Sequence, residues 1–188
     1  MRRMERAEYK ADLLPLADNY EKQENDFFCG VASSVAVLNA LHATDSHASR
    51  YTQDTFFDAD TDRVKTRSEV LGKPKDGARP DYGFQIAQLQ KMLEAHHLKA
   101  GLRVVTNELS EDAIRAEFIK NLGQKDDFIL VNYYRPALGQ PGGGHISPLG
   151  AYDKESDSVL IMDVNPDVAQ WVWVKIHPHL IDSPIHRC

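Results

Sequence analysis

Cys29 is the residue of this chain that is best placed for nucleophilic chemistry. It stands where a helix is predicted to begin, because apolar residues recur after it at three- and four-residue spacing, at Val31, Val35, Leu38 and Leu41. The N–H groups and the positive dipole of a helix start favour the thiolate, which is the reactive form of cysteine. The alternative is a small buried hydrophobic residue, which is what a cysteine in a core most often is.

A histidine and an aspartate that could assist Cys29 lie on a predicted β-hairpin in the second half of the chain. The polar run Lys154–Asp157 separates two apolar segments of strand length. Pairing about this turn brings His145 and Asp163 within one or two rungs of each other on adjacent strands. A carboxylate beside a histidine fixes the tautomer of the ring and stabilises its protonated form. With Cys29 brought close by the fold, the chain holds a nucleophile, a base and an orienting acid.

The elements that must position these side chains are predicted as helices in the front half and strands in the back half. This order is typical of an α+β arrangement. Helices are predicted from Cys29 to about His42, across Ile86, Leu89 and Leu93, and after the capping residue Ser110, and a helix start is predicted at Thr52–Phe57. Strands are predicted at Leu102–Val105, at Phe128–Tyr134, in the hairpin, and where Trp171 and Trp173 alternate with valines.

The segments around these residues resemble the catalytic domain of the phytochelatin synthases. The resemblance lies in CGVASSVAVLNAL (29–41), GGHISPL (143–149) and LIMDV (160–164), and it extends over about residues 10 to 175. The chain is most like the short, single-domain bacterial members, which lack the cysteine-rich C-terminal domain of the plant enzymes. The resemblance implies one papain-like α+β catalytic domain over residues 1–188, with the catalytic cysteine at a helix start and an antiparallel sheet carrying histidine and aspartate.

The activity implied by the resemblance is transfer of a γ-glutamylcysteinyl group from glutathione to a second glutathione or to water, in the context of metal detoxification. By this resemblance Cys29 is the nucleophile that forms a thioester, and His145 is the general acid and base. Asp163 orients His145. Gln23, six residues before Cys29, matches the glutamine that forms an oxyanion hole together with the N–H of the nucleophile.

Four further residues are expected to contact the substrate. Gly144 suits a close approach by substrate backbone, or simply a flexible loop end. Arg135, ten residues before His145, matches a family arginine near the active site and could face a substrate carboxylate. Asp182 and Arg187 stand in for the γ-glutamyl-binding acid and arginine of the family, although their spacing is shorter; the alternative for both is a frayed tail.

The region after Asp163 departs from the pattern of the family. Where the family typically continues through a Lys-Tyr-Pro-Pro-like turn, this chain reads VNPDVAQWVWV (164–174). Two alternatives to acyl transfer from glutathione therefore stay open. One is a papain-like cysteine peptidase that acts on another γ-glutamyl or isopeptide substrate. The other is a catalytically silent thiol or metal-binding protein in which Cys29 is only buried.

Composition limits the partners of the chain. Its 188 residues, 42% hydrophobic and 27% charged, suffice for one domain with a single core. The net charge of −6 and the absence of a basic stretch argue against nucleic acid as a partner. No apolar run approaches the roughly 18 residues of a membrane span. The charged start Met1–Arg6 leads into no apolar signal core, so we expect a soluble, cytoplasmic chain, or a periplasmic one if an export signal has been removed.

The resemblance also sets the expected ligands. Glutathione is the small-molecule partner, no cofactor is covalently bound and no resident metal site is predicted. Heavy-metal ions such as Cd²⁺ and Zn²⁺ are expected as metal thiolates of the substrate or as activators. A homodimer is left open. With two cysteines, Cys29 and Cys188, we expect no structural disulfide.

Overall fold

The computed structural model describes residues 2–43, 48–74, 77–106 and 109–176. These ranges contain an α+β fold, in which six α-helices accompany one antiparallel sheet of strand order β1-β2-β3-β4. The helices are α1 (Arg2–Arg6), α2 (Leu13–Asp18), α3 (Cys29–Leu41), α4 (Arg67–Val70), α5 (Ile86–Ala95) and α6 (Glu111–Leu122). The strands are β1 (Leu130–Tyr134), β2 (Gly144–Asp153), β3 (Ser158–Ile161) and β4 (Val172–Lys175), and a 3₁₀ turn covers Arg135–Leu138. None of these helices has the length and apolar character needed to cross a bilayer.

The helix α3 is buried on every side. All its residues from Cys29 to Ala40 are buried, whereas the apolar spacing predicts a single buried stripe. The reason is visible in the sequence, because no charged side chain occurs between Phe27 and Leu41 and no face of the helix therefore prefers water. One side of α3 packs in a cluster with Phe56, Phe84 and Leu89, and the other packs in a cluster with Leu13, Leu16 and Leu160.

The strand β2 runs through the centre of the sheet, and each of its residues is buried. The helices α2 and α3 cover one face of the sheet, and α6 covers the other with Ile114, Phe118 and Leu122. Gly150 allows β2 to approach its neighbours closely, because a Cβ atom there would lie 2.6 Å from Sδ of Met162 and 2.9 Å from Cδ1 of Leu13. Helices on both faces thus hold β2, and with it the His145 end of the strand, in a fixed place.

Most predicted elements are confirmed, including α3, α5, the hairpin of β2 and β3, and α6 with its capping residue Ser110, whose hydroxyl accepts from the N–H of Ala113. Two predictions are wrong. Leu102–Val105 is irregular, because these β-formers find no partner strand within the described sheet, and Val104 remains 64% exposed. The helix start expected at Thr52 does not continue into a helix: Thr52 and Thr55 accept from each other's backbone N–H through their hydroxyls, and the N–H of Phe56 donates to the carbonyl oxygen of Thr52, which closes a single turn.

Candidate active site

Cys29 is the first residue of α3 and is fully buried. The first turn of the helix contains no acidic residue, so no carboxylate there offsets the positive dipole that acts on the sulfur. The structure has Cys29 in a disulfide, so the expectation of none is wrong. A count of two cysteines excludes a framework of several bridges but allows one. The chemistry discussed below belongs to the reduced thiol.

The first turn of α3 packs against β2 at the residue that follows His145. A Cβ atom on Gly30 would lie 3.5 Å from Cδ1 of Ile146. The hydroxyl of Ser33 donates to the carbonyl oxygen of Ile146 at 3.1 Å. Cys29 and Ile146 also belong to the same buried cluster. This contact brings the start of α3 and the His145 end of β2 to one place in the fold.

His145 and Asp163 form a buried pair, which confirms that the hairpin brings them together. Nε2 of His145 lies 2.9 Å from Oδ1 of Asp163, and the two residues are 4% and 0% exposed. Asp163 follows the end of β3 by two residues, so the hairpin itself sets this distance. When the carboxylate accepts from Nε2–H, the neutral ring carries its lone pair on Nδ1. Nδ1 is therefore the nitrogen that can take a proton from a thiol.

The carboxylate of Asp163 accepts hydrogen bonds from several directions. Oδ1 accepts from a terminal guanidinium nitrogen of Arg135 at 2.8 Å and from the N–H of Asn165 at 2.8 Å, in addition to His145. Oδ2 accepts from the hydroxyl of Tyr133 at 2.7 Å. Charge-assisted donors on a carboxylate that water does not reach keep it ionised and in one orientation.

The electrostatics make His145 a base and Asp163 an anion. Burial lowers the pKa of His145 and the charge of Arg135 adds to this effect, while the hydrogen bond and charge of Asp163 oppose both. His145 is therefore neutral near pH 7 and able to accept a proton. Burial alone would raise the pKa of Asp163, but its hydrogen bonds from His145 and the other donors hold it below the ordinary value.

Gln23 lies in the loop before α3 and is anchored to the residue after Asp163. Its backbone N–H donates to the carbonyl oxygen of Val164 at 2.9 Å, and its side chain is almost fully buried. Nε2 donates to the carbonyl oxygen of Asn25 at 2.7 Å. An amide nitrogen carries two hydrogens, so this bond leaves one for a developing oxyanion. Participation of Gln23 in an oxyanion hole remains a prediction.

Arg135 has a different partner from the predicted one. Its side chain is 4% exposed, and its two terminal nitrogens donate to Asp163 and to the side-chain oxygen of Gln140, the latter at 2.8 Å. The guanidinium thus faces a carboxylate of the chain itself and not an open substrate site, because a buried anion requires a counter-charge. Gly144 begins β2, where it pairs with Tyr134 and is buried.

The other two predicted substrate-binding residues, Asp182 and Arg187, lie outside the described residues. Across the described ranges, no three or more side chains of the types His, Cys, Asp and Glu are grouped so that they could hold a metal ion. A cleft of about 420 Å³ is lined in part by Asp163. Its other walls are Tyr20, Pro166, Ala169, Gln170 and Trp171. The segment that departs from the family pattern therefore borders the site.

Sequence reasoning missed two tyrosines that hold Asp163. Tyr133 donates to the carboxylate, and the hydroxyl of Tyr20 donates to the main-chain oxygen of Asp163 at 2.8 Å. Tyr133 has a signal, because it lies on the predicted strand before the hairpin, on the same side as the buried Val131. Tyr20 lies 143 residues from its partner and has no local signal.

Comparison with known proteins agrees with the resemblance stated above. The chain matches the family model described as phytochelatin synthase over residues 1–181. It is 30% identical over 155 residues to glutathione gamma-glutamylcysteinyltransferase 3 of Lotus japonicus, covering 79% of this chain and 29% of that protein. It is 24% identical over 164 residues to glutathione gamma-glutamylcysteinyltransferase of Schizosaccharomyces pombe, covering 86% and 36%. The chain spans about a third of the length of these relatives. It belongs to the phytochelatin synthase family.

Proposed function

We propose that this chain is a glutathione γ-glutamylcysteinyltransferase or glutathione hydrolase with a papain-like fold, in which reduced Cys29 forms a thioester with the substrate. The observation that carries the proposal is the buried pair of His145 and Asp163 at the place where the start of α3 meets β2. Family membership supports the substrate class, since the relatives are named glutathione gamma-glutamylcysteinyltransferases. A cysteine at a helix start, a histidine on an antiparallel strand and an aspartate just beyond the next strand support the papain-like arrangement.

In the acylation half, Nδ1 of His145 takes the proton of the Cys29 thiol. The sulfur then attacks the carbonyl carbon of the cysteinyl–glycine bond of glutathione. The negative charge on the carbonyl oxygen is stabilised by the side-chain amide of Gln23 and the backbone N–H of Cys29. His145 returns the proton to the glycine nitrogen as the C–N bond breaks. Glycine leaves, and the γ-glutamylcysteinyl group remains on the sulfur as a thioester.

In the second half, the amine of another glutathione or a water molecule attacks the thioester. His145 accepts a proton from the attacking group and delivers it to the sulfur as the C–S bond breaks. Attack by glutathione lengthens the peptide to (γ-glutamylcysteine)ₙ-glycine, and attack by water releases γ-glutamylcysteine. Cd²⁺ or Zn²⁺ takes part as a metal thiolate of glutathione or as an activator.

The test is mass spectrometry of the products after incubation of the reduced protein with millimolar glutathione, with and without Cd²⁺ or Zn²⁺. The matched variants are Cys29→Ser and Cys188→Ser, which remove the two cysteines of the chain one at a time. We expect γ-glutamylcysteine or lengthened peptides from the parent protein and from Cys188→Ser. Cys29→Ser should give neither.

Turnover that persists in Cys29→Ser overturns the mechanism. Untouched glutathione, together with rapid alkylation of Cys29 by iodoacetamide, overturns the substrate but keeps the nucleophile, and it favours a peptidase of other γ-glutamyl or isopeptide specificity. Slow alkylation of reduced Cys29 at neutral pH overturns both, and leaves a buried thiol without catalytic function.

A further inference from the structure

Tyr133 lies beside both members of the histidine–aspartate pair. It is in register with His145 across β1 and β2, and the ring centroids are 5.6 Å apart at an interplanar angle of 81°. Tyr133 is 1% exposed, and it packs with Leu149 and Phe118 in the cluster under α6. The ring is therefore fixed by the sheet and the helix, and its hydroxyl has a defined direction.

That hydroxyl donates to the oxygen of Asp163 that His145 does not use. Oδ2 accepts from Tyr133 at 2.7 Å, whereas Oδ1 accepts from His145, Arg135 and the N–H of Asn165. The two oxygens thus have different donors, so rotation of the carboxyl group about its bond to Cβ would break hydrogen bonds on both. Burial and the negative charge of Asp163 raise the pKa of Tyr133, so the phenol stays protonated and keeps donating.

We propose that Tyr133 is a positioning residue for the reaction of Cys29: its hydroxyl holds the Asp163 carboxylate so that Oδ1 faces Nε2 of His145 and Nδ1 is left for the thiol. This inference rests on the proposed function, because it takes His145 as the base of that reaction. Tyr133 touches neither substrate nor sulfur in this account. It acts through Asp163 alone.

The sign of its effect on His145 follows from the charges around the pair. The carboxylate of Asp163 accepts from His145 on β2, from Tyr133 on β1 and from Arg135 directly after β1, and the N–H of Asn165 also donates to it. The hydroxyl of Tyr20 donates to the main-chain oxygen of Asp163. Loss of the Tyr133 hydroxyl removes the donor to Oδ2, so the negative charge of the Asp163 carboxylate is less compensated. That charge then stabilises the protonated ring of His145 more strongly. The pKa of His145 should therefore rise, and the acid limb of the pH profile should move to higher pH.

Tyr133→Phe removes only the hydroxyl, and Tyr152→Phe is a matched control. Tyr152 is also buried, at 2% exposure, and its hydroxyl donates to a carboxylate, Asp157, at 2.9 Å. It lies near the far end of β2 from His145. We expect Tyr133→Phe to lower kcat for glutathione about tenfold to a hundredfold, the loss typical of a displaced catalytic group. Tyr152→Phe should lower Tm but leave kcat and the acid limb unchanged.

Two measurements test this inference without requiring that glutathione is the substrate. One is the titration of the His145 ring by nitrogen NMR, and the other is the pH dependence of Cys29 alkylation in the reduced protein. In Tyr133→Phe the pKa of His145 should rise and the acid limb of the alkylation rate should move to higher pH, even if glutathione is not the substrate. A wild-type titration in Tyr133→Phe, with a Tm loss like that of Tyr152→Phe, overturns the inference and makes Tyr133 merely structural.

A second substitution keeps the inference testable if Tyr133→Phe folds poorly. 3-Fluorotyrosine at position 133 preserves the ring and the hydroxyl but makes the phenol a stronger donor. The pKa of His145 should then move downward, in the direction opposite to that of Tyr133→Phe. A shift in the same direction for both substitutions, or no shift for the fluorinated ring, contradicts control of His145 through Asp163.

Discussion

An aspartate lies near each end of the hairpin of β2 and β3. Each of the two accepts hydrogen bonds from an arginine and a tyrosine. Near the turn, both oxygens of Asp157 accept from Arg115 at 2.7 Å, and Oδ1 also accepts from the hydroxyl of Tyr152 at 2.9 Å. This carboxylate is 40% exposed. Arg115 binds both oxygens of the carboxylate, and with Tyr152 it ties α6 to the hairpin.

At the other end, the same residue types leave room for a base. Arg135 donates to Asp163 through one nitrogen only, to Oδ1, and the hydroxyl of Tyr133 donates to Oδ2. Oδ1 can therefore also accept from His145, at a place that solvent does not reach. The comparison teaches that the residue types alone do not decide whether a carboxylate can also hold a histidine. What matters is how the donors are divided between the two oxygens, and whether water can replace them.

The largest expected effect comes from removing the negative charge at each end in turn. Asp163→Asn should lower kcat with glutathione by about 10³- to 10⁴-fold, because an amide can donate to His145 and favour the wrong tautomer, as in serine protease triads. Asp157→Asn is the matched control and should keep the parental kcat. Steady-state rates of γ-glutamylcysteine release measure both. Equal rates in the two variants would show that the division of donors has no catalytic meaning.

The second largest effect is on stability, and it tests the difference in burial between the Arg135–Asp163 and Arg115–Asp157 ion pairs. Arg135→Met leaves the buried Asp163 without its counter-charge and should lower the free energy of unfolding by about 3–5 kcal/mol. Arg115→Met removes an ion pair at the surface and should cost about 1 kcal/mol or less. Urea unfolding of the two variants gives the comparison. Losses of similar size would contradict a stabilising role of Arg135 as the counter-charge of a buried Asp163.

The smallest effect is the pH dependence of stability. Burial lowers the pKa of His145, and burial also lowers that of His96, where it outweighs the opposing effect of the hydrogen bond with the carbonyl oxygen of Phe56. A histidine with a lowered pKa contributes stability above its unfolded value of about 6.5, and the contribution is lost as the pH falls through that value. The pKa values of Asp157 and Asp163 are also lowered, so their contributions persist until the pH falls through about 4.

Thermal unfolding at pH 7.5, 6.5 and 5.5 should therefore show a falling Tm that comes from the histidines. In His145→Asn this decline should be shallower, and Asp157→Asn should keep the full slope of the parent protein. A parental Tm that stays constant or rises across this window contradicts the neutral, buried state of His145 and His96.

The sequence by itself determined the elements that carry the candidate site. Local periodicity is enough to place Cys29 at the start of α3, and the turn at 154–157 is enough to pair the strands that bring His145 to Asp163. The same local signals fail for Leu102–Val105, since a strand needs a partner that its own residues cannot specify.

Only the tertiary structure decided what surrounds the pair. It determined that Arg135 is the counter-charge of Asp163 and that the hydroxyls of Tyr133 and Tyr20 donate hydrogen bonds to the same residue. It also buried α3 on every side. The physical reason is that periodicity reports which face of one element avoids water. The partner of a buried charge is set by whichever donors the whole fold brings within hydrogen-bonding distance.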